Sequence, residues 1–342
     1  MLKLAIANDT EIAIESLRRA IAPIPDYQLL WVARTGIEAV QFTARQRPDL
    51  ILMDMNMPDL NGVAATQQIM RQSPCAILIV TASITRNTTL VFEAMGYGAL
   101  DVVKTPGPGD VQALLHKIKT VAKLVQPTQP QITNPPLAPR VAALQQRLPP
   151  LIVIGASTGG PRALYQILSQ LPSSLNAAIV IVQHIDEQFA AGLAHWLGGG
   201  SLLPVRLVHN GDRPTPGQVL IASTNDHLIL RPNQSLRYTR EPADAVYRPS
   251  VDVFFQTVAQ HWPQAGTAVL LTGMGRDGAQ GMKQLRTFGW QTIAQNQESC
   301  VVFGMPKAAI EQGGASEVLP LEQIASRIRL TNRLQNSSQN SH

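Results

Sequence analysis

Residues 126–150 read QPTQPQITNPPLAPRVAALQQRLPP. Proline locks φ and removes a backbone donor, so seven prolines in this stretch forbid an extended helix or ladder. Gln, Thr and Asn add nothing to a core. The segment is expected to be a semi-rigid linker, with a short helix around Val141–Arg147. It cuts a chain of 342 residues into two stretches of ordinary domain length. The chain therefore builds two cores rather than one.

On the N-terminal side, Leu2–Ala7, Leu29–Ala33, Leu50–Met53, Ala76–Thr81 and Ala99–Val103 are short apolar runs that predict buried strands. Between and after them, Glu11–Ala22, Ile37–Arg47, Val63–Arg71, Thr88–Met95 and Val111–Val125 carry apolar residues at three-to-four spacing, the mark of amphipathic helices. Five such units predict a doubly wound, flavodoxin-like parallel sheet over residues 1–125. Past the linker the rhythm resumes at Leu151–Ile154, Ala177–Val182, Val205–Val208, Val219–Ala222, Ala268–Thr272 and Gln291–Ala294. These predict a second, Rossmann-like α/β domain over residues 151–331. Leu228–Leu230 and Ser235–Tyr238 flank RPNQ and predict a hairpin inside it. The last residues, 332–342, read NRLQNSSQNSH and are expected to be a disordered tail.

Several function classes are set aside by composition. The net charge of +5 is small and dispersed, and no Lys/Arg cluster interleaves with aromatics, so nucleic acid is not an expected partner. No apolar run approaches the roughly 18 residues of a membrane span, so no membrane insertion is expected. The start, MLKLAIANDTEI, turns acidic too early for a signal peptide. Cys75 and Cys300 lack CxxC spacing and are read as reduced core thiols of a cytoplasmic protein.

Open parallel sheets bind ligands beyond the carboxyl ends of their strands. In the first domain those ends offer Asn8-Asp9, Asp54 in LILMDMNMPDLNG, Thr81 in LIVTAS, and Lys104-Thr105 in DVVKTPG. Two carboxylates hold Mg²⁺ through oxygen, the metal neutralises an incoming phosphoryl group, and Asp54 attacks phosphorus. The hydroxyl of Thr81 and the ammonium of Lys104 then hold the acyl-phosphate oxygens. The alternative is that Asp54 and Asp9 only cap helices. Four such groups on four strand ends favour the chemical reading.

In the second domain the apolar run before GASTGG raises three readings. A phosphate cradle uses glycines and a helix start, but neither the P-loop lysine nor G-x-G-x-x-G is present. A turn without chemistry is the second reading. The third makes Ser157 a nucleophile, which requires a base and a group to orient it. His184 directly follows the apolar run AIVIV-Gln183, and Asp277 sits in GMGRDGAQGM after AVLLT. A structural histidine and a helix-capping aspartate are their alternatives. Together the three favour the nucleophile, with the N–H groups of Thr158 and Met274 as candidate oxyanion donors.

The first 125 residues resemble the receiver domain of bacterial response regulators, most specifically in MDMNMPDLNG. With VIGASTGG, VQHI, YRPSVDVFF, LLTGMGRDGAQGM and VVFGMPKAAI in order, nearly the whole chain resembles the CheB family of chemotaxis protein-glutamate methylesterases. The resemblance implies a triad of Ser157, His184 and Asp277 with Met274 near the oxyanion. It implies Asp54 as phospho-acceptor, Asp9, Asp54 and Asn56 about Mg²⁺, and no cofactor for the esterase. Methyl-accepting chemoreceptors would be substrates, with glutamine deamidation as a second reaction, and a CheA-type histidine kinase would be the phosphoryl donor. An unphosphorylated receiver would cover the active site. NDTEIAIESLRRA and DVVKTPGPG look closer to members serving surface-sensing pathways than to those driving flagella. The chain departs from the family at Asn8, where a second acid is usual, at the Lys104-Thr105-Pro106 order, and at IASTNDHL, Ile221–Leu228. Arg248 either contacts an acidic substrate helix or caps a loop. A non-catalytic adaptor for receptors or kinase and a DNA-binding regulator are the other classes.

Overall fold

The computed structural model of the protein describes residues 1–82, 84–107, 111–122 and 148–340, with 84–86 and 334–340 described by backbone alone. It falls into two compact units that divide between Gln129 and Pro130. Most of the proline-rich segment, including Val141–Arg147, lies outside the described residues.

The first unit runs β1 (Leu2–Ala7), α1 (Glu11–Ile21), β2 (Tyr27–Ala33), α2 (Gly36–Arg45), β3 (Leu50–Met53), α3 (Gly62–Gln72), β4 (Ala76–Thr81), α4 (Ile84–Tyr97), β5 (Asp101–Lys104) and α5 (Gln112–Ala122). Its sheet is parallel throughout, in the order β2-β1-β3-β4-β5. Leu4, Ile6, Leu50, Leu52, Leu78 and Val80 point to one face, where Ile14 and Leu17 of α1 and Leu114 and Ile118 of α5 cover them. Each such side chain contributes about 1.5–3 kcal/mol on burial. The alternate residues Ala5, Ile51, Met53 and Ile79 are buried too. A parallel sheet covered on both faces needs unbroken apolar strands, which is why these runs stand out. The strand order reverses between β1 and β3, so a crevice opens over their carboxyl ends.

The second unit runs β6 (Leu151–Ala156), α6 (Gly160–Leu168), β7 (Ala178–Gln183), α7 (Glu187–Gly200), β8 (Val205–Leu207), β9 (Gln218–Ile221), β10 (His227–Leu230), β11 (Leu236–Thr239), α8 (Val251–His261), β12 (Thr267–Leu270), α9 (Ala279–Thr287), β13 (Gln291–Gln295), α10 (Met305–Glu311), β14 (Glu317–Leu319) and α11 (Leu321–Asn340). The main sheet is again parallel, ordered β14-β13-β12-β6-β7-β9-β8, and β10 and β11 form the antiparallel hairpin. Phe254, Phe255 and Val258 of α8 pack on Val153, Val180 and Leu270. The first strand, β6, lies at the centre. Its neighbours are β7, which follows it directly, and β12, which the chain reaches much later. That reversal places the second crevice over the ends of β6, β7 and β12.

Two features depart from the sequence reading. β14 is three part-buried or exposed residues at a sheet edge, too short and too polar to register as an apolar run. The segment expected to be a disordered tail from residue 332 is helical as far as Asn340. At its start Asn332 is buried and its Nδ2 donates to the Asn176 carbonyl at 3.2 Å, and just before it Thr331 donates to Gln291 Oε1. Cys75 and Cys300 are free and part-buried, and burial pushes the Cys75 thiol up to about 12 and Cys300 higher still. Among the described residues no helix is long and apolar enough to cross a membrane.

Candidate active site

Ser157 is the first residue beyond β6, and His184 the first beyond β7. Parallel pairing sets Ala156 opposite Gln183, and the His184 N–H donates to the Ala156 carbonyl at 2.9 Å. The two residues therefore occupy neighbouring strand ends. On the other side of β6, the Ser157 N–H donates to the carbonyl of Thr272, just beyond β12, at 3.0 Å. The loop after β12 returns Asp277 to the same rim, where its Oδ2 lies 2.7 Å from His184 Nε2. His184 Nδ1 is buried and has no hydrogen-bond partner among the described residues.

The aspartate is held by a helix as well as by the histidine. Its carboxylate accepts from Ser250 Oγ at 2.7 Å, from the Val251 N–H at 2.6 Å and from the Asp252 N–H at 3.0 Å. These are the cap and first residues of α8, so the carboxylate sits on the positive end of that helix. Burial pushes the Asp277 carboxyl up. The bond and charge of His184, the Asp252 N–H and the Ser250 hydroxyl outweigh it and hold the group below the usual carboxylate range.

Asp252 returns the arrangement, accepting the Gly281 N–H of α9 at 2.7 Å. Each helix start is thus capped by a carboxylate from the other's. Burial, with Asp277's charge behind it, pushes Asp252 up to about 6 against its backbone bonds. The folded state then holds a proton between pH 4 and 6 that the unfolded chain has released, so this group's contribution to stability falls as pH rises through that window. Asp252→Asn is expected to gain on the wild type by about 1–3 kcal/mol between pH 4 and pH 7.5. Urea unfolding of both proteins at the two pH values measures it, and a variant that loses ground to the wild type as pH rises would contradict burial as the cause.

Below the Ser157 turn lie polar side chains that the sequence reading did not assign. Gln183 is 2% exposed, and its Nε2 donates to the carbonyls of Ser157 at 2.8 Å and His184 at 3.1 Å, tying the two strand ends together. Thr272 Oγ1 donates to the Thr158 carbonyl at 2.9 Å and accepts the Val302 N–H at 2.8 Å. Both partners are backbone groups of other elements, so no spacing in the sequence marks them. Thr158 stands between Ser157 and α6, and the Gly160 N–H closes the turn onto the Ser157 carbonyl at 2.8 Å. Met274 lies part-exposed in the loop Gly273–Gly275.

That loop touches the serine closely. A β-carbon on Gly273 would stand 2.7 Å from Ser157 Cβ and 2.3 Å from Met305 Sδ. The glycine cannot retreat, because its N–H donates to Val302 and its carbonyl accepts from Gly304 and Met305. Gly273→Ala is expected to displace Ser157 at a cost of about 1–3 kcal/mol in stability and, on the reading of Ser157 as a nucleophile, to lower hydrolysis roughly 10- to 100-fold. Steady-state rates and a thermal midpoint check both parts.

Of the departures noted in Ile221–Leu228, His227 is fully buried. Its Nδ1 accepts the Ser250 N–H and its Nε2 pairs with the Pro242 carbonyl, each at 3.1 Å. Arg248 donates to the Ala243 carbonyl, so it caps its own loop.

In the first unit, Asp54 begins directly after β3 with its N–H bonded to Ala7 at 2.8 Å. Burial pushes its carboxyl up to about 6, with N–H bonds from Met55 and Asn56 opposing and the charge of Asp9 adding to the rise. Asp9 is exposed, whereas Asn8 is buried and its Oδ1 accepts the Thr10 N–H. Thr81 and exposed Lys104 stand opposite each other on β4 and β5. Asn87 of α4, unassigned from sequence, is buried between Asn56 and Thr81: Asn56 Nδ2 donates to its Oδ1 at 2.8 Å and its Nδ2 donates to Thr81 Oγ1 at 3.0 Å. Its Nδ2 spent on Asn87, Asn56 offers a cation oxygen only, from its side-chain amide or its backbone carbonyl. Among the described residues no three His, Cys, Asp or Glu side chains form a metal cluster. The like charges of Asp54 and Asp9 and the oxygen donors around them nevertheless suit a hard divalent ion completed by water.

Comparison with known proteins agrees with both units. The CheB methylesterase family model matches residues 152–328, and the response regulator receiver domain model matches residues 4–119. The chain is 52% identical over 333 residues to a protein-glutamate methylesterase/protein-glutamine glutaminase of Pseudomonas aeruginosa, covering 96% of this chain and 98% of that one. It is also 52% identical to one from Burkholderia thailandensis, covering 96% of each chain. The crystal structure of the Thermotoga maritima CheB methylesterase catalytic domain superposes with a TM-score of 0.50 at 40% identity, covering 52% of this chain and 96% of that one. The chain belongs to the CheB family of methylesterases, with a response-regulator receiver ahead of the hydrolase.

Proposed function

We propose that this protein removes methyl groups from methylated glutamate side chains on the cytoplasmic helices of chemoreceptors, with Ser157, His184 and Asp277 as its catalytic triad. The observation that carries the reading is the 2.7 Å contact between His184 and a buried, ionised Asp277, on the rim where Ser157 ends the neighbouring strand. Because Asp277 takes Nε2, the base nitrogen is Nδ1. Ser157 Oγ adds to the ester carbonyl and its proton passes to Nδ1, leaving an oxyanion facing the N–H groups of Thr158 and Met274. The carbon–methoxy bond then breaks, the imidazolium returns the proton, and methanol departs. Water repeats the sequence on the acyl-serine and frees the glutamate. A glutamine amide follows the same path with ammonia as leaving group.

Phosphorylation of Asp54 by a CheA-type histidine kinase raises the hydrolytic rate. Asp9, Asp54 and the Asn56 carbonyl would hold Mg²⁺, which supplies neutralisation of phosphoryl charge when bound. Thr81 and Lys104 take the phosphoryl oxygens. The protein acts in the cytoplasm, where receptor helices and kinase are both met.

The test is methanol release from methylated receptor membranes by the full chain, with and without a small phosphodonor. Release that rises with the phosphodonor supports the reading. Receptor binding without turnover under either condition replaces it with a non-catalytic adaptor.

A further inference from the structure

We infer that Tyr247 is a positioning residue for His184: its ring holds the imidazole in the orientation that meets Asp277 and gives the imidazolium an aromatic face to rest on. The inference rests on the proposed role of Ser157 and His184 in hydrolysis. The two rings lie parallel, 3° apart in tilt, with centroids separated by 4.8 Å. That is the geometry of offset stacking, which also favours a cation over the ring.

Core packing does not account for Tyr247. Val246 beside it is 87% exposed, and Arg248 on its other side is exposed too. The loop is instead tied down at its ends. Buried His227 grips the Pro242 carbonyl and the Ser250 N–H, and Arg248 closes onto Ala243. The far end of the ring meets the turn that carries Met274. A β-carbon on Gly275 would stand 2.4 Å from Tyr247 Oη, and the residue's φ of +87° favours glycine in any case. One side chain thus spans the imidazole and the oxyanion loop. Burial, with the charge of Asp277 behind it, raises the phenol, so the ring stays neutral and brings no rival anion to His184.

The stack separates cleanly from the hydroxyl. In full-length protein acting on methylated receptor, Tyr247→Phe is expected to keep kcat within about threefold, while Tyr247→Leu loses about 10- to 100-fold in kcat with KM within about twofold. Equal losses in Phe and Leu, unchanged kcat in Leu, or a loss confined to KM would each overturn the inference. Should Leu not fold, Tyr247→Met takes its place. A second reading needs no variant of Tyr247. The imidazole carbon protons of His184, assigned by their disappearance in His184→Gln, are expected upfield in wild-type protein from the ring current of Tyr247. Resonances at ordinary positions would overturn the stack. A wild type that releases no methanol would remove the hydrolytic reading instead, while the ring-current shift still decides whether the rings are stacked.

Discussion

Replacing Ser157 by alanine is expected to lower methanol release from methylated receptor by roughly 10³- to 10⁶-fold, leaving only what the oxyanion donors and substrate binding supply to attack by water. The loss is expected to fall on kcat, because on the proposed mechanism the hydroxyl forms the bond of the acyl intermediate and does not hold the ground state. Stability is expected to change by less than about 1 kcal/mol. What fixes this turn is main chain: the Ser157 N–H on Thr272, and its carbonyl shared by Gly160 and Gln183. The variant also leaves Asp54 intact, so it is expected to take a phosphoryl group at the wild-type rate. A variant that cannot hydrolyse but still becomes phosphorylated separates the two chemistries. Retention of the wild-type rate would remove Ser157 from the mechanism.

Much of this arrangement was legible in the sequence, for a definite physical reason. Strands such as Leu50–Met53 and Leu151–Ala156 are buried on both faces and so are written as unbroken apolar runs. The residue after such a run then lies on the ligand-bearing rim, which is how Asp54, Ser157 and His184 were singled out. Asp277 is harder to read, since a loop separates it from β12, and what points to it is the glycine-rich turn after AVLLT, the need for a third partner and the LLTGMGRDGAQGM motif. What stayed hidden were contacts made with the backbone of another element. Nothing in VQHI marks Gln183 as the side chain that joins the Ser157 and His184 carbonyls, and nothing in LLTGMG marks Thr272 as the support of Thr158. The choice of Nε2 for Asp277 is a matter of ring orientation that no spacing encodes. Polar helices are hidden in the same way: α11 is held by Thr331 and Asn332 reaching Gln291 and Asn176, so its composition alone read as a tail.

Asp277→Asn is expected to lower kcat by about 10⁴-fold although the side chain keeps its size. In the wild type both carboxylate oxygens are acceptors, so the imidazole proton sits on Nε2, and on the proposed mechanism Nδ1 keeps its lone pair for the Ser157 proton. An amide reverses this. Its oxygen is claimed at the Oδ1 place, where Ser250 Oγ and the Asp252 N–H donate, which leaves the Val251 N–H without the acceptor it has in Oδ2. Its NH₂ group then faces Nε2 and donates to it. The ring proton moves to Nδ1, and the nitrogen that should accept from Ser157 already carries a hydrogen. The imidazolium also loses its counter-charge. Stability is expected to fall by about 1–3 kcal/mol, because one donor of the helix start loses its acceptor and the helix loses an anion. The pH dependence of that loss has a fixed sign. The Asp277 carboxyl is held below 3.8, so its stabilising effect is complete above that value and disappears as pH falls through the folded-state pKa. The gap in unfolding free energy between wild type and variant is therefore expected to be flat above the window in which Asp252 titrates, since the charge of Asp277 supports the raised Asp252 carboxyl, and to close in stronger acid. Rates within tenfold of wild type would mean that the aspartate serves only α8, and the gap in stability would then remain while the catalytic argument for it fell.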